Sequence, residues 1–383
     1  MSEIYIHIPF CNSKCIYCDF LSGKADESVH SKLTDAMCRE LYYRKNMIND
    51  NITSIFIGGG TPSSVSSALI SRLLDAVYQY YSVEKEAEIT LESNPGTLTL
   101  EKLSAYKNIG INRLSMGLQS SDDDELKMLG RIHTFGEFLK NYDLARETGF
   151  DNINIDIMQS LPFQTADKYK KTLERVISLR PEHISSYSLI VEEGTPLFNR
   201  TDLLKHLPDE DTEREIYYLT NELLSENGYI HYEISNYALE SRECKHNLGY
   251  WNRDNYIGIG VGASSLVRDF RFANIRDINR YTELTEYYSG VFSEQSWIDK
   301  DSIEELSEKD KMSEFMYLGL RKTDGICADT FNNEFNICIE EIFGDVLNKY
   351  INLELMKRTD KGYALTDRGV DISNYVLADF ILE

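Results

Sequence analysis

Hydrophobic and polar positions follow two different periods along the first two-thirds of the chain. Short β-branched runs at Ile4–Ile8, Ile52–Ile57, Ala87–Glu92, Arg113–Met116, Ile153–Ile157 and His183–Tyr187 read as strands. Between them the apolar spacing lengthens. Leu69, Leu73, Leu74, Val77 and Tyr81 fall on one face of a predicted helix over 66–81, and similar patterns occupy 135–147 and 165–178. Strands alternating with helices predict βαβ units and a parallel sheet. Six or so such units predict an α/β fold built as a full or partial barrel, with its chemistry at the C-terminal ends of the strands.

Past residue 235 the pattern changes. Residues 236–254 are polar and aromatic, 256–263 are rich in glycine, and helical spacing returns at 305–322 and 340–357. A short strand or turn over Gly362–Gly369 feeds a last helix. We therefore expect a barrel core over 1–235 and a smaller, α-rich C-terminal domain over 236–383. There is no internal repeat and no low-complexity tract.

Charge narrows the partners. The chain has 40 basic and 63 acidic residues, a net charge of −23, which makes it a poor polyanion binder and argues against nucleic acid. No apolar run approaches the roughly 20 residues of a membrane helix, and the N-terminus lacks a basic region followed by a long apolar stretch. A cytoplasmic location is the expectation. The seven cysteines are odd in number, which in a reducing compartment argues against a disulfide framework.

Cys11, Cys15 and Cys18 form C-x3-C-x2-C just after the first predicted strand. Three thiolates can hold three irons of a 4Fe–4S cluster. The fourth iron then stays open to chelate the amino and carboxylate groups of S-adenosylmethionine. One electron from the cluster cleaves the C–S bond and releases a 5′-deoxyadenosyl radical. The alternative is a zinc site or scattered buried cysteines, but zinc usually takes four ligands and no second C-x2-C is present.

The residues around the triad carry a resemblance. Tyr5-Ile-His-Ile-Pro-Phe-Cys11, running on to Cys18-Asp-Phe20, resembles the opening of the radical S-adenosylmethionine superfamily that contains oxygen-independent coproporphyrinogen III oxidase. Similar stretches follow in the same order. They are Gly58-Gly-Gly-Thr-Pro-Ser63, Glu92-Ser-Asn-Pro95, Leu114-Ser-Met-Gly-Leu-Gln-Ser120, Asn154-Ile-Asp156, Ile184–Leu189 with Glu193–Pro196, and Tyr232–Tyr237. Two features point to the heme-chaperone branch. The oxidase carries a further cysteine where this chain has Phe20, and Cys244-Lys-His-Asn-Leu-Gly-Tyr-Trp251 is similar to the H-N-x-x-Y-W motif of the chaperones. Glu314–Arg321 and Leu365–Gly369 also look like that branch. Two departures stand out. Ser160-Leu-Pro-Phe163 replaces a Gly-Leu-Pro-Gly run, and Ser264 replaces a histidine in the glycine-rich run, near the expected nucleoside end of the cofactor site.

The resemblance implies a radical SAM partial (β/α)6 barrel with a 4Fe–4S cluster, S-adenosyl-L-methionine and heme as its cofactors. Cys11, Cys15 and Cys18 would ligate the cluster. Tyr5, Tyr17, Gly59, Gly60, Thr61, Glu92, Gln119, Arg131 and Asp156 would meet S-adenosylmethionine. Of these, Gln119 and Arg131 match a second cofactor site of the oxidase. His246, Asn247, Tyr250 and Trp251 would meet heme, His246 as axial ligand with Cys244 and Tyr250 as rivals. The implied role is a heme chaperone handing heme to a membrane hemoprotein such as a cytochrome. It would work at the membrane periphery during delivery, and a homodimer is among its expected partners. Such a protein is not an enzyme in the strict sense. The rival readings are the coproporphyrinogen oxidase itself, a heme-opening radical methyltransferase, or a pure binding module.

Overall fold

The computed structural model describes residues 2–284, 293 and 295–382. Six strands, β1 (Ser2–Ile8), β2 (Ile52–Gly59), β3 (Val83–Ser93), β4 (Arg113–Gln119), β5 (Ile153–Gln159) and β6 (His183–Ser188), lie side by side in chain order, all parallel. Helices fill every crossover: α1 (Glu27–Arg44), α2 (Ser67–Tyr80), α3 (Leu100–Asn108), α4 (Asp123–Met128) with α5 (Phe135–Glu147), and α6 (Ala166–Ser178). This is the α/β arrangement that the alternating periods predict.

The strands have a period of two with an unusual assignment. Ile4, Ile6, Ile55, Ile57, Ile89, Leu91, Leu114, Met116, Ile155 and Ile157 share one large core with Leu73, Val77, Leu103, Phe138 and Leu173 of the helices. The alternate positions carry Glu3, Tyr5, Ser54, Phe56, Glu88, Thr90, Glu92, Arg113, Ser115, Asn154, Asp156 and His183. They face the other way and contact one another across the sheet's concave side, as in the pairs Ser115–Asp156 and Asn154–His183. The sheet is thus apolar toward its helices and polar inside.

The sheet does not stop at residue 235. Helices α7 (Thr201–Leu204) and α8 (Glu210–Glu226) lead to the hairpin β7 (Ile230–Glu233) and β8 (Asn236–Ala238), which pairs antiparallel with β6. A short helix, α9 (Lys245–Trp251), follows. Strand β9 (Asn255–Ile259) then enters beside β1 in parallel, and β10 (Ser264–Val267), β11 (Phe270–Ala273) and β12 (Glu304–Glu305) extend that edge antiparallel, giving twelve strands.

A buried polar knot fixes this added edge to α1. Glu40 pairs with Arg44 at 2.7 Å, and both side chains are fully buried. Arg44 donates to the Gly258 carbonyl and to Asn274 Oδ1 at 2.9 and 2.7 Å. Glu40 accepts from the Gly260 N–H, from Asn274 Nδ2 and from the Tyr281 hydroxyl.

A second core is built from residues between 312 and 380. The helices Glu308–Gly319, Ala328–Phe335 and Ile339–Asn352 pack on a small sheet formed by Ile326–Cys327, Met356–Arg358 and Gly362–Leu365. Arg253 and Arg271 both reach Glu314, at 3.0 and 2.7 Å, and tie this module to the barrel. Among the described residues no helix is long and apolar enough to cross a membrane.

Candidate cluster and cofactor site

The loop after β1 is closed at its base by backbone bonds. The Cys11 N–H donates to Gly23 O, and the Gly23 N–H to Pro9 O. It is clamped from two sides, because Ile16 N–H donates to Leu129 O while Leu197 N–H donates to Ile16 O. The Cys18 N–H bonds the Cys15 carbonyl in a tight turn. The x3 and x2 spacing in this closed loop turns all three thiols toward one cavity. Among the described residues no three His, Cys, Asp or Glu side chains converge as ligands of a single metal ion would.

The cavity lies at the C-terminal ends of β2 to β5. Its lining includes Cys11, Cys15, Cys18, Tyr17, Gly59, Gly60, Thr61, Glu92, Gln119, Arg131 and Asp156. Of the residues expected to meet the cofactor, only Tyr5 lies outside that lining. Its hydroxyl sits 2.9 Å from His7 Nδ1, and His7 Nε2 lies 2.9 Å from the Leu21 carbonyl. Tyr5 therefore braces the cysteine loop through His7. Phe20 lines the cavity where the oxidase has its extra cysteine. Ser264 is exposed and does not line it.

Among the lining residues not singled out from the sequence are Asn94, Ser115 and Gly117. Asn94 donates to Thr61 Oγ1 at 2.7 Å and accepts from Arg131 at 3.1 Å. Arg131 also donates to the Gly117 carbonyl at 2.9 Å and approaches Cys15 Sγ at 3.7 Å. A side chain on Gly117 would meet Arg131 Nη2 and Asn94 Oδ1 at 2.7 Å, so glycine is what lets the guanidinium cross β4. The pairing of β4 with β5 slips between Gly117 and Gln119, and Gln119 holds φ at 73°. This bulge turns Gln119 into the cavity. The signal for all three was their place inside quoted motif stretches.

The charges are set by burial. Glu92 accepts from the Gly59 N–H at 3.0 Å, yet desolvation and the Asp156 carboxylate push its carboxyl up to about 8. Asp156 is also raised by burial, against hydrogen bonds from Asn154 and Ser115 at 2.7 and 3.1 Å. Burial raises the Cys18 thiol. A cavity with three thiols, two paired carboxyls and one guanidinium is suited to a ligand that carries both positive and negative groups.

The H-N-x-x-Y-W segment lies at the opposite end of the barrel. It forms α9, which sits under the N-terminal ends of β1 to β4. His246 is 2% exposed. Its Nδ1 lies 2.8 Å from Ser54 Oγ, its Nε2 lies 3.1 Å from the Tyr250 hydroxyl, and its ring stacks on Phe56. Burial and the Arg113 guanidinium push His246 down to about 3, so it is neutral. Cys244 is fully buried and donates to Glu88. The Trp251 ring is covered by the Arg321 guanidinium at 4.4 Å. Asn247 is half-buried on the same helix. In this structure His246, Cys244 and the Trp251 face are each engaged by protein partners, and the helix that carries them packs under the barrel.

The fold and the cysteine cavity define a radical S-adenosylmethionine protein, and the chain matches the Radical SAM superfamily over residues 5–176 and the HemN C-terminal domain over 306–372. It is 34% identical to the heme chaperone HemW of Lactococcus lactis, covering all of this chain and 98% of that one. It is also 34% identical to the heme chaperone HemW of Bacillus subtilis, with both chains covered in full. The chain belongs to the heme chaperone HemW family. Among solved structures, the coproporphyrinogen III oxidase HemN of Escherichia coli superposes with a TM-score of 0.85 at 22% identity, covering 99% of this chain and 90% of that one. At that identity the likeness is one of fold.

Proposed function

We propose that this chain binds a 4Fe–4S cluster on Cys11, Cys15 and Cys18, holds S-adenosylmethionine beside it, and carries heme to a membrane hemoprotein. The observation that carries the cofactor part is the convergence of the three thiols with Glu92, Gln119, Arg131 and Asp156 on one cavity. The donor set fits the cluster: three soft thiols line one open cavity. A cluster held by Cys11, Cys15 and Cys18 would supply one-electron reducing chemistry to a sulfonium ligand in this cavity.

The chain's own residues do the rest. Gly59 and Gly60 present backbone to the ligand's polar end, and Thr61, held by Asn94, bonds Cys11 Sγ at 3.3 Å. Glu92 and Asp156 accept from ribose hydroxyls or an ammonium, and Arg131 neutralises thiolate charge at Cys15. Tyr17 packs beside the cluster cysteines. The heme part rests on family membership, since the relatives are named heme chaperones.

The test is anaerobic reconstitution with iron and sulfide. The expected result is about four irons per chain in the wild type and none retained when all three cysteines are Ala. Loaded protein is then titrated with heme and mixed with membranes holding an apo-cytochrome, which should gain heme. Efficient conversion of coproporphyrinogen III would instead favour the oxidase reading. Wild-type protein that stays colourless after reconstitution sinks the proposal.

A further inference from the structure

The polar inner face of the barrel holds a chain of hydrogen bonds that runs from α9 to the cysteine cavity. Cys244 is the N-cap of α9, and its side chain makes no cap bond to the helix. The start of the helix is held from outside instead. The Cys244 N–H donates to the Tyr232 hydroxyl at 3.2 Å, and the Lys245 N–H donates to Glu88 at 3.2 Å. The Tyr232 hydroxyl lies 2.8 Å from His183 Nε2, and His183 Nδ1 lies 2.6 Å from Asn154 Oδ1. Asn154 Nδ2 donates to Asp156 Oδ1 at 2.7 Å and to Ser115 Oγ at 2.8 Å, while Ser115 donates to Asp156 Oδ2 at 3.1 Å. Asp156 lines the cavity.

Every member spends its donor in the same direction. Asn154 turns its amide N–H to the carboxylate, so its oxygen accepts from His183 Nδ1–H. Burial holds His183 neutral, which leaves Nε2 to accept the Tyr232 O–H. The Tyr232 oxygen accepts in turn from Cys244. Cys244, Tyr232, His183 and Asn154 are all buried, so water does not compete for these bonds, and bonds in such a chain polarise one another. His183 and Asn154 are register partners on β6 and β5, and Asp156 follows two residues on, on the same face of β5. The two ends also feel one buried cation, because the Arg113 guanidinium acts on both Asp156 and Cys244.

Asn154 and Ser115 occupy two of the roughly four lone-pair sites of the Asp156 carboxylate. A ligand that donates to the remaining sites fixes the carboxylate, and with it the amide, the imidazole and the phenol behind it. We infer that His183 is a positioning residue that, with Tyr232 and Asn154, couples Asp156 to the seating of α9, so that S-adenosylmethionine bound in the cavity tightens a helix at the other end of the barrel. This rests on the cofactor reading above. The coupling is reciprocal: loosening α9 weakens the cofactor by the factor that the cofactor tightens α9.

Hydrogen exchange by mass spectrometry on cluster-loaded protein, with and without S-adenosylmethionine, tests the inference in wild type and Tyr232→Phe. The phenylalanine keeps the ring and removes the hydroxyl that joins His183 to Cys244. In wild type the cofactor is expected to slow exchange over residues 245–252 roughly fivefold and to leave 356–365, in the second core, unchanged. In Tyr232→Phe the slowing over 245–252 should vanish, and equilibrium dialysis should show affinity for the cofactor lower by roughly the same factor. A wild type that binds the cofactor with no change over 245–252, or with equal slowing over 356–365, overturns the inference and leaves the cofactor reading standing, whether or not the variant folds. Slowing that persists in full in Tyr232→Phe overturns it as well. A cluster-loaded wild type that binds no S-adenosylmethionine overturns both.

Discussion

Single residues store strain and charge in places where their removal can be read. Ser160 holds φ at 61° and stands at the other glycine position of the Gly-Leu-Pro-Gly run. A left-handed L residue costs roughly 1–2 kcal/mol, offset in part by the greater freedom of glycine in the unfolded chain. Ser160→Gly should raise stability by about 1 kcal/mol, seen as a higher urea midpoint at unchanged slope. Two carboxyls set a pH dependence of opposite sign to the usual one. Glu92 is pushed up to about 8 and Glu3 to about 9, both chiefly by burial. Each binds its proton more tightly folded than unfolded, so each contributes stability at acid pH that is lost as pH rises from the ordinary carboxylate range to those values. The loss has a limiting slope of about 1.4 kcal/mol per pH unit for each group. Glu92→Gln and Glu3→Gln should each flatten the fall in stability of the ligand-free chain between pH 5 and 8 (roughly the window those shifts define). A double variant as steep as wild type in that window would contradict the assignment.

At the scale of elements, the β4 bulge separates what the fold needs from what the site needs. In Gly117→Ala the new methyl meets the far ends of the Arg131, Asn94 and Gln119 side chains, which can swing aside. The expected result is a melting temperature within a few degrees of wild type and S-adenosylmethionine binding weakened roughly tenfold, about 1.4 kcal/mol, by equilibrium dialysis on cluster-loaded protein. The parallel strands and their helices were legible because β-branched runs and helical spacing alternate cleanly. The residues lining the cavity were legible because they end strands or sit in motifs. Gly117 and Asn94 escaped because their role is to hold Arg131, a contact between strands that spacing does not encode. Strands β9 to β11 escaped because a short run such as Ser264–Val267 has no partner in sequence. It forms only where β9, seated on the β1 edge and held by Arg44, and β11 receive it. The end of the barrel to which α9 goes was also hidden. A histidine, a tyrosine and a tryptophan in one helix say nothing by themselves of which end of the barrel receives that helix.

For the whole molecule, the Glu40–Arg44 knot is what joins the added edge to the barrel. Arg44→Ala would leave Glu40 buried without its cation and Asn274 short of a donor, and should cost about 3–5 kcal/mol by chemical denaturation. Arg44→Met, which restores bulk but not charge, should recover little unless Glu40 is also replaced. A second joint lies at α9. One side of it meets Glu3, Ser54 and Glu88, with Gly249 close against Glu3, and the other carries Trp251 and leads to Arg253, held by Arg321 and Glu314. Seven residues thus serve as mortar for two cores at once. A chain cut before residue 306 would therefore shed more than its last module: Trp251 and Arg253 would lose their counterparts, and the barrel would be left standing on a loosened base.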